Sequence, residues 1–275
     1  MVELRGARAL VTGAAGGIGL YISRSLASQG ANLAVSDLPD TDLAGLADEL
    51  GGRGVEAKPV PADLIDPGER ERLIRDTTEA IGPIDVLVNN AGLEFGGGFL
   101  HSSREELEAI TAVNLLAVMD LTRLALPGML ERRRGHVVNM ASLAGKMSTM
   151  YLATYAATKH GVVGFTNSLR AEYADEPVGF SYICPGFVGR VGMYGRLERE
   201  VGELPRWLKT VPPERVGEAV VKAIREDRAE MIVNEGPIRP ALGLYALWPR
   251  AAMRLLANRR TREFSARYAR ARGRL

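Results

Sequence analysis

Short apolar runs alternate with longer stretches of helical periodicity along most of the chain. The early runs are apolar at every position rather than at alternate positions, which is typical of strands that are covered on both faces of a sheet. The runs predict strands at 7–12, 32–37, 55–60, 84–89, 135–141, 178–184 and 230–233.

The longer stretches carry apolar residues with the spacing of one helix face. They predict helices at 17–29, 40–50, 67–81, 103–131, 154–174 and 213–227. The pattern is then interrupted by the segment Gly236-Pro237-Ile238-Arg239-Pro240. Two short helical segments are expected after it, near 241–257 and 262–271.

The regular alternation of strand and helix predicts right-handed crossovers between parallel strands. The sequence therefore predicts an α/β protein with a doubly wound, mostly parallel, seven-stranded sheet and helices on both faces. We expect this domain to occupy residues 1–235. Residues 236–275 are predicted to form a basic, partly amphipathic, helical C-terminal extension that packs on or beside the same domain.

The composition is that of a globular protein with a full core. Of the 275 residues, 46% are apolar and 25% are charged, which excludes an intrinsically disordered chain. The 35 Lys and Arg nearly balance the 33 Asp and Glu, so nucleic-acid binding by the whole protein is not expected. The single cysteine, Cys184, allows no intrachain disulfide and no cysteine-based metal site, and the three histidines lack metal-like spacing.

The chain shows no secretion signal and no apolar stretch of spanning length, so a cytoplasmic location is expected. The charge is unevenly placed, because residues 250–275 hold nine Arg and one Glu. Tyr245 and Trp248 beside arginines would suit weak peripheral contact with a membrane. Docking of this segment over a pocket or on a partner subunit is the preferred interpretation, because Pro240 and Pro249 interrupt regular amphipathicity.

A glycine-rich turn, Gly13-Ala14-Ala15-Gly16-Gly17-Ile18-Gly19, joins the first predicted strand to the first predicted helix. Such a turn lets the backbone approach a pyrophosphate, while the helix N-terminus supplies free N–H groups. A tight turn without a ligand is the alternative. The position between first strand and first helix, and the acid that follows, favour a dinucleotide site.

That acid is Asp37, at the end of the second predicted strand. A carboxylate there can accept hydrogen bonds from the adenosine ribose hydroxyls and would repel a 2′-phosphate. The sequence therefore favours NAD(H) over NADP(H) as the cofactor. Capping of the next helix is the alternative role, for which Asp40 and Thr41 are better placed.

The candidate catalytic residues are Ser142, Tyr155 and Lys159, and Asn114, mid-helix among apolar residues, is expected to hold backbone or a water. The i,i+4 spacing of Tyr155 and Lys159 places both on one face of a predicted helix. A neighbouring ammonium and a bound nicotinamide cation are expected to lower the pKa of the phenol, which could then exchange a proton with an alcohol oxygen. Ser142 follows a strand, where a hydroxyl could bind a substrate carbonyl.

These residues resemble the short-chain dehydrogenase/reductase family, in its shorter single-domain subgroup. The likeness extends to about residue 235. It rests on the motifs Thr12-Gly13-x3-Gly17-Ile18-Gly19, Asp63-Leu64, Asn89-Asn90-Ala91-Gly92, Asn114, Ser142, Tyr155-x3-Lys159 and Pro185-Gly186. The resemblance implies a Rossmann-type fold and an oxidoreductase.

The resemblance also implies which residues would bind the cofactor. Asp37 would select the ribose, Asp63 and Leu64 would flank the adenine, and Val188 would meet the nicotinamide carboxamide. The complete implied set is Gly13, Gly17, Ile18, Gly19, Asp37, Asp63, Leu64, Asn90, Ala91, Tyr155, Lys159, Pro185, Gly186 and Val188.

For the reaction, the resemblance implies that Tyr155 is the acid/base and that Ser142 holds the substrate oxygen. Lys159 would bind the nicotinamide ribose and tune Tyr155, and Asn114 would carry a relay water. Arg190 stands where the family often has a threonine, so a hydroxyl contact to the carboxamide is not expected there. Binding of a substrate anion is one role open to Arg190, and a solvated loop arginine is the preferred interpretation.

The sequence thus predicts an NAD(H)-dependent enzyme that interconverts a secondary alcohol and a ketone. Three loops, 93–101, 143–152 and 187–209, should form the substrate pocket. Their large residues favour a hydrophobic substrate of steroid-like, lipid-like or aromatic character, although the same residues could simply pack the loops. They are Phe95, Phe99, Met147, Met150, Tyr151, Phe187, Met193, Tyr194, Trp207 and Leu208.

Two other functions stay open at this point. One is an NADP-linked reductase of the 3-ketoacyl type, and the other is a dinucleotide-binding scaffold without turnover. A homodimer or homotetramer is expected, with the dimer contact made through the two long helices at 103–131 and 154–174.

Overall fold

The computed structural model describes residues 2–189, 191–193, 195, 199, 209–256, 258–272 and 274. Within these residues, the strands form one parallel sheet with the order β3-β2-β1-β4-β5-β6-β7. The strands are β1 (Arg8–Thr12), β2 (Asn32–Ser36), β3 (Ala57–Pro59), β4 (Val86–Asn89), β5 (Gly135–Met140), β6 (Val178–Pro185) and β7 (Glu230–Val233).

Helices connect the strands and continue beyond the last one. They are α1 (Gly17–Ser28), α2 (Leu43–Gly51), α3 (Pro67–Ile81), α4 (Arg104–Thr111), α5 (Ala117–Glu131), α6 (Ala153–Glu172), α7 (Glu214–Glu226), α8 (Arg239–Leu247), α9 (Pro249–Leu256) and α10 (Arg259–Ala271). The doubly wound α/β fold predicted from the sequence is confirmed, and the sheet is parallel throughout rather than mostly parallel.

Each central strand sends alternate side chains to opposite faces of the sheet, and helices cover both faces. On one face Val11 belongs to a buried cluster that includes Leu26 of α1 and Val220 of α7. On the other face Leu10 packs in a cluster with Leu121 of α5 and residues of α3. This two-sided burial explains why the strands are apolar at successive positions.

Two predicted helices differ from the structure in detail. The helix predicted over 103–131 is continuous from Arg104 to Glu131, but its middle, Ala112–Leu116, is π-helical and separates α4 from α5. Apolar periodicity does not reveal this change of winding, because the segment keeps helical backbone angles. The single segment expected at 241–257 is likewise two helices, α8 and α9, and Pro249 begins the second one.

The stretch Arg104–Glu131 is long and apolar enough to cross a membrane by length and composition. Half of its most apolar window is buried inside the protein. Leu121 and Met129 of α5 are part of the core beneath the sheet. The apolar character of this stretch is therefore accounted for in large part by packing.

Candidate functional site

A cavity of about 1480 Å³ lies at the carboxyl ends of the central strands. The strand order reverses between β1 and β4, so the connections that follow these two strands leave in opposite directions and create a crevice. The cavity is lined by most of the residues that the sequence assigns to the cofactor: Gly13, Gly17, Ile18, Asp37, Asp63, Leu64, Asn90, Ala91, Tyr155, Lys159, Pro185, Gly186 and Val188.

Gly19 is the exception among the described residues of that set. A Cβ at Gly19 would lie 1.9 Å from the Gly13 carbonyl oxygen, so this glycine packs beneath the turn instead of facing the cavity. A Cβ at Gly13 would lie 2.8 Å from the Ala91 Cα, and Gly13 has a φ of +62°. The turn and the end of β4 therefore touch backbone to backbone.

Hydrogen bonds fix this junction. The Thr12 hydroxyl accepts from the backbone N–H groups of Asn90 (3.0 Å) and Ala91 (3.1 Å). The Asn90 amide donates to the carbonyls of Thr12 and Gly13, both at 3.0 Å. Asn90 thus holds the turn in place, in keeping with the supporting role that the resemblance implies.

The turn fits a dinucleotide pyrophosphate on two observations. A Cβ at Gly16 would meet nothing within 4 Å, so the backbone here borders open cavity space. In addition, no side chain caps the N-terminus of α1 at Gly16. Free N–H groups at the start of a helix are therefore available to an anionic group.

Asp37 lies just past the end of β2 and lines the cavity. Its carboxylate accepts from the backbone N–H groups of Ala15 (3.1 Å) and Leu38 (3.0 Å), which ties it to the glycine-rich turn. It does not cap α2. The cap is Asp42, whose side chain accepts from the Gly45 N–H at 2.9 Å, so the expectation that Asp40 or Thr41 would serve is wrong.

Tyr155, Lys159 and Ser142 meet at another part of the same cavity. Tyr155 and Lys159 lie one turn apart on α6, and the Lys159 Nζ is 5.6 Å from the centre of the Tyr155 ring. Lys159 is buried and donates to the Met140 carbonyl at 2.8 Å. Ser142 follows β5, and its hydroxyl accepts from the Ala144 N–H at 3.1 Å.

Burial dominates the electrostatics of this group. It raises the pKa of Tyr155 to about 12, an effect that the neighbouring Ser142 side chain partly offsets and the Glu94 charge reinforces. Burial also lowers the pKa of Lys159 to about 8. The expectation that the ammonium lowers the phenol pKa is therefore not met by these protein groups, because removing both groups from water favours their neutral forms.

Asn114 lies in the π-helical segment and is fully buried. Its side chain accepts from the Leu93 N–H and donates to the Leu93 carbonyl, both at 2.8 Å, and it donates to the Thr158 hydroxyl at 3.3 Å. It does not line the cavity itself. Asn114 thus anchors the loop after β4 to α6, beside Lys159.

The apolar wall of the cavity agrees only in part with the residues singled out in the sequence. Met147, Met150, Phe187 and Met193 line it, whereas Phe95, Phe99 and Tyr151 do not. Phe99 is 59% exposed. Arg190, Tyr194, Trp207 and Leu208 lie outside the described residues.

A further part of the wall comes from Glu94 and from the C-terminal extension, for which the sequence favours docking over a pocket or on a partner subunit without identifying the contact residues. The lining residues are Glu94, Ile238, Met253, Asn258, Thr261, Phe264, Ser265 and Tyr268. The only local signal was the spacing of Phe264 and Tyr268 on one face of an arginine-rich helix.

The chain is similar in sequence to proteins of a known family. A family model described as short chain dehydrogenase matches residues 7–201. A ketoacyl reductase, HetN, from Nostoc sp. is 38% identical over 242 residues, which cover 88% of this chain and 83% of the relative.

Two solved structures are similar over most of the chain. A short chain dehydrogenase/reductase from Burkholderia phymatum in complex with NAD has a TM-score of 0.80 and 28% identity, and the match covers 94% of this chain and 98% of that one. An actinorhodin polyketide ketoreductase variant with NADPH has a TM-score of 0.77 and 33% identity, and covers 85% and 97%.

The two glycines of the turn should respond differently to a methyl group. Gly19→Ala is expected to lower the free energy of unfolding by about 2 kcal/mol, because the added Cβ collides with backbone. Gly16→Ala should change it by less than about 0.5 kcal/mol, yet weaken dinucleotide binding at least about tenfold, because its methyl group enters the cavity. Urea unfolding and fluorescence titration with NADH measure the two effects. Equal stability of the two variants would contradict the packing described for Gly19.

We expect the buried ammonium of Lys159 to destabilise the folded protein. At pH 7 the ammonium is charged in the folded and the unfolded chain, and its folded pKa of about 8 lies below the ordinary 10.5. Lys159→Met is therefore expected to raise the free energy of unfolding at pH 7 by about 2 kcal/mol, after allowance for the lost bond to Met140. The gain should shrink between pH 8 and 10.5, where the folded wild type deprotonates first.

Thermal and urea unfolding at pH 7 and pH 10 test this expectation. Lys58→Met is the matched control, because Lys58 lies on β3 with a half-exposed side chain and should not change stability in this way. A Lys159→Met variant that is less stable than the wild type at pH 7 would contradict the assignment of a destabilising buried charge.

Proposed function

The chain belongs to the short chain dehydrogenase family, and from this premise we propose that it interconverts a secondary alcohol and a ketone with NAD(H). One observation carries the proposal: a phenol, an ammonium and a hydroxyl line the same cavity as the glycine-rich turn and Asp37. The dinucleotide and the proton-transfer groups can therefore act on one substrate.

When bound, a nicotinamide dinucleotide exchanges a hydride with the carbon that bears the substrate oxygen. Tyr155 supplies the proton to that oxygen in reduction and removes it in oxidation. With a pKa of about 12 in the protein alone, the phenol is protonated at neutral pH and can donate in the direction of reduction. In the direction of oxidation, the positive charge of a bound nicotinamide would favour the phenolate that accepts the proton. Ser142 is placed on the adjoining loop, where its hydroxyl can hold the same oxygen.

Lys159, which lines the cavity, and Asn114, which lies behind its wall, support this proton exchange. A pKa of about 8 lets the Lys159 amine take up or release a proton near neutral pH. Asn114 and Lys159 both lie against Gly92, since a Cβ there would be 3.4 Å from the Asn114 Oδ1 and 3.8 Å from the Lys159 Nζ. We assign Lys159 to the nicotinamide ribose and to proton exchange with Tyr155, and Asn114 to holding a water beside it.

The substrate that we propose is a hydrophobic alcohol or ketone. Support comes from the methionines of the wall, Met147, Met150 and Met193, together with Phe187. Flexible thioether side chains fit irregular apolar ligands. Arg190 lies outside the described residues and has no part in the proposal.

Tyr155→Phe tests the mechanism and also separates an enzyme from a scaffold without turnover. The variant should lose about a hundred- to ten-thousandfold in turnover, because the proton donor is removed, while NADH binding changes little. A panel of hydrophobic secondary alcohols with NAD, followed by the absorbance of the reduced coenzyme, measures turnover. A Tyr155→Phe variant that turns over at the wild-type rate would refute the role of Tyr155. A wild type without any turnover would favour the scaffold.

A second candidate is an NADP-linked reductase of 3-ketoacyl-type substrates. It is favoured by the similarity to a ketoacyl reductase and to a ketoreductase structure that holds NADPH. Asp37 argues for NAD(H) instead, because its carboxylate lines the cavity and would face a 2′-phosphate. The similar structure from Burkholderia phymatum holds NAD.

Asp37→Ala should relax the cofactor preference. Loss of the carboxylate removes the repulsion of a 2′-phosphate, so the ratio of kcat/KM for NADP to that for NAD is expected to rise roughly ten- to hundredfold. Steady-state kinetics with both cofactors give the ratio. Asp40→Ala, which removes a nearby exposed acid, is the control and should leave it unchanged. A wild type that prefers NADP would instead support the second candidate.

We further propose a homodimer that forms through α5 and α6, with a homotetramer as the larger alternative. Leu116, between α4 and α5, is 49% exposed and would be covered by a second copy. A cytoplasmic enzyme agrees with these assignments. Weak peripheral membrane contact through Leu247 and Trp248, which are 69% and 61% exposed beside arginines, is the alternative for the C-terminal extension.

A further inference from the structure

The last described helix, α10, contributes one face to the wall of the cavity. Thr261, Phe264, Ser265 and Tyr268 follow the i, i+3, i+4, i+7 spacing of a single helix face, and all four line the cavity. The remaining positions of α10 are rich in arginine. The face turned to the cavity is therefore uncharged, with two aromatic rings and three hydroxyls, of which that of Tyr268 binds Glu94.

A buried cluster fastens this helix to the loop that follows β4. The Tyr268 hydroxyl lies 2.7 and 2.8 Å from the two carboxylate oxygens of Glu94, to which it donates. Arg272 donates to Glu94 at 3.3 Å, and its guanidinium lies 4.7 Å from the centre of the Tyr268 ring. The Glu94 side chain is only 7% exposed, so its charge depends on these partners.

The glycines of the same loop make room for this contact. A Cβ at Gly96 would lie 2.3 Å from Cε1 of the Tyr268 ring, and a Cβ at Gly97 would lie 2.5 Å from the Arg274 Cβ. Gly97 also has a φ of +150°, which side chains rarely adopt. The Gly98 N–H donates to the Arg274 carbonyl at 2.8 Å. The three glycines, which in the sequence suggest only a mobile loop, form the surface on which the C-terminal segment is seated.

The loop is held from both sides. Its first residue, Leu93, is bound through both backbone groups by Asn114. Its later residues carry the C-terminal segment, and Arg274 also pairs with Glu106 of α4. Glu94 and Tyr155 line the same cavity as the four residues of the α10 face. The face of α10 thus borders the cavity in which the substrate would react.

We propose that α10 is the specificity-determining wall of the substrate pocket, seated in place by the Glu94–Tyr268–Arg272 cluster. This proposal rests on the oxidoreductase function proposed above. The ring of Phe264 limits the length of the substrate, and the hydroxyls of Thr261 and Ser265 face its distal end. The Thr261 hydroxyl donates to the Asn258 side chain at 3.2 Å, so it meets the substrate as an acceptor. The substrate class is a hydrophobic alcohol or ketone with a second, uncharged oxygen group far from the reacting carbon.

Phe264→Ala tests the role in substrate selection. The variant should shift the preference in a ladder of ketones of increasing length, raising the kcat/KM ratio of long to short substrates roughly tenfold or more. Arg260→Ala, on an exposed position of the same helix, is the matched control and should leave the ratio unchanged. NADH affinity and melting temperature are measured for each variant to confirm that the cofactor site and the fold are intact.

Thr261→Val and Ser265→Ala test the preference for a distal oxygen. Each should reduce kcat/KM for a substrate with a distal hydroxyl or carbonyl, relative to its hydrocarbon analogue, about tenfold. If kcat/KM changes by the same factor for all substrates in these variants and in Phe264→Ala, the proposal is overturned. Absence of wild-type turnover with every compound would overturn the proposed function, and the specificity role with it.

Hydrogen exchange tests the seating of α10 without any turnover. Tyr268→Phe removes the hydroxyl that binds Glu94, and it should speed amide exchange at least about tenfold both in residues 94–98 and in α10. Arg260→Ala should not. Exchange that stays at the wild-type rate in Tyr268→Phe, together with an unchanged KM for long substrates, would show that the cluster does not hold the wall.

Discussion

The whole site depends on a place where three stretches of backbone meet with no space for a side chain. Gly13 lies against the backbone of Ala91, and Gly19 lies against the carbonyl of Gly13. Thr12 and Asn90 join the ends of β1 and β4 by hydrogen bonds at the same place. Because the connections leave these two strands in opposite directions, the crowded junction is the floor of an open crevice.

The chemistry of the crevice is governed by burial. The same loss of water raises the pKa of the Tyr155 phenol and lowers the pKa of the Lys159 ammonium. In the protein alone, the environment of this pair favours the neutral forms of both groups. A charged ligand in the cavity would shift both pKa values again. The fold accepts an unfavourable ionisable group at the point where the proposed reaction needs one.

Much of the fold could be predicted from the sequence because the strands are buried on both faces and helices of regular period separate them. The predicted bounds of α3 and β7 are those of the structure. The strand at 55–60 is shorter than predicted, Ala57–Pro59, and pairs with β2 alone at one edge of the sheet. The π-helical segment could not be foreseen, because the apolar spacing of α4 continues through it into α5.

The candidate site also contains features that the local sequence predicts and features that it does not. Tyr155 and Lys159 follow from helical spacing, and Gly13 and Asp37 follow from their position at strand ends, although their roles stay predictions. The contact between Glu94 and Tyr268 spans 174 positions in the chain and leaves no local signal. The direction of the tyrosine pKa was also missed, because a sequence shows which charges are near in the chain but not how much water a group has lost.

The π-helical segment joins α4, which contacts the C-terminal segment, to α5, which packs against the sheet. An inserted residue in an α-helix advances the following turns by about 100° around the axis. Across such a segment, the sequence spacing of residues that share one face of the helix changes. Glu106 of α4 pairs with Arg274 at the rim of the crevice, Leu121 of α5 is buried in the core, and the buried Asn114 lies in the segment between them.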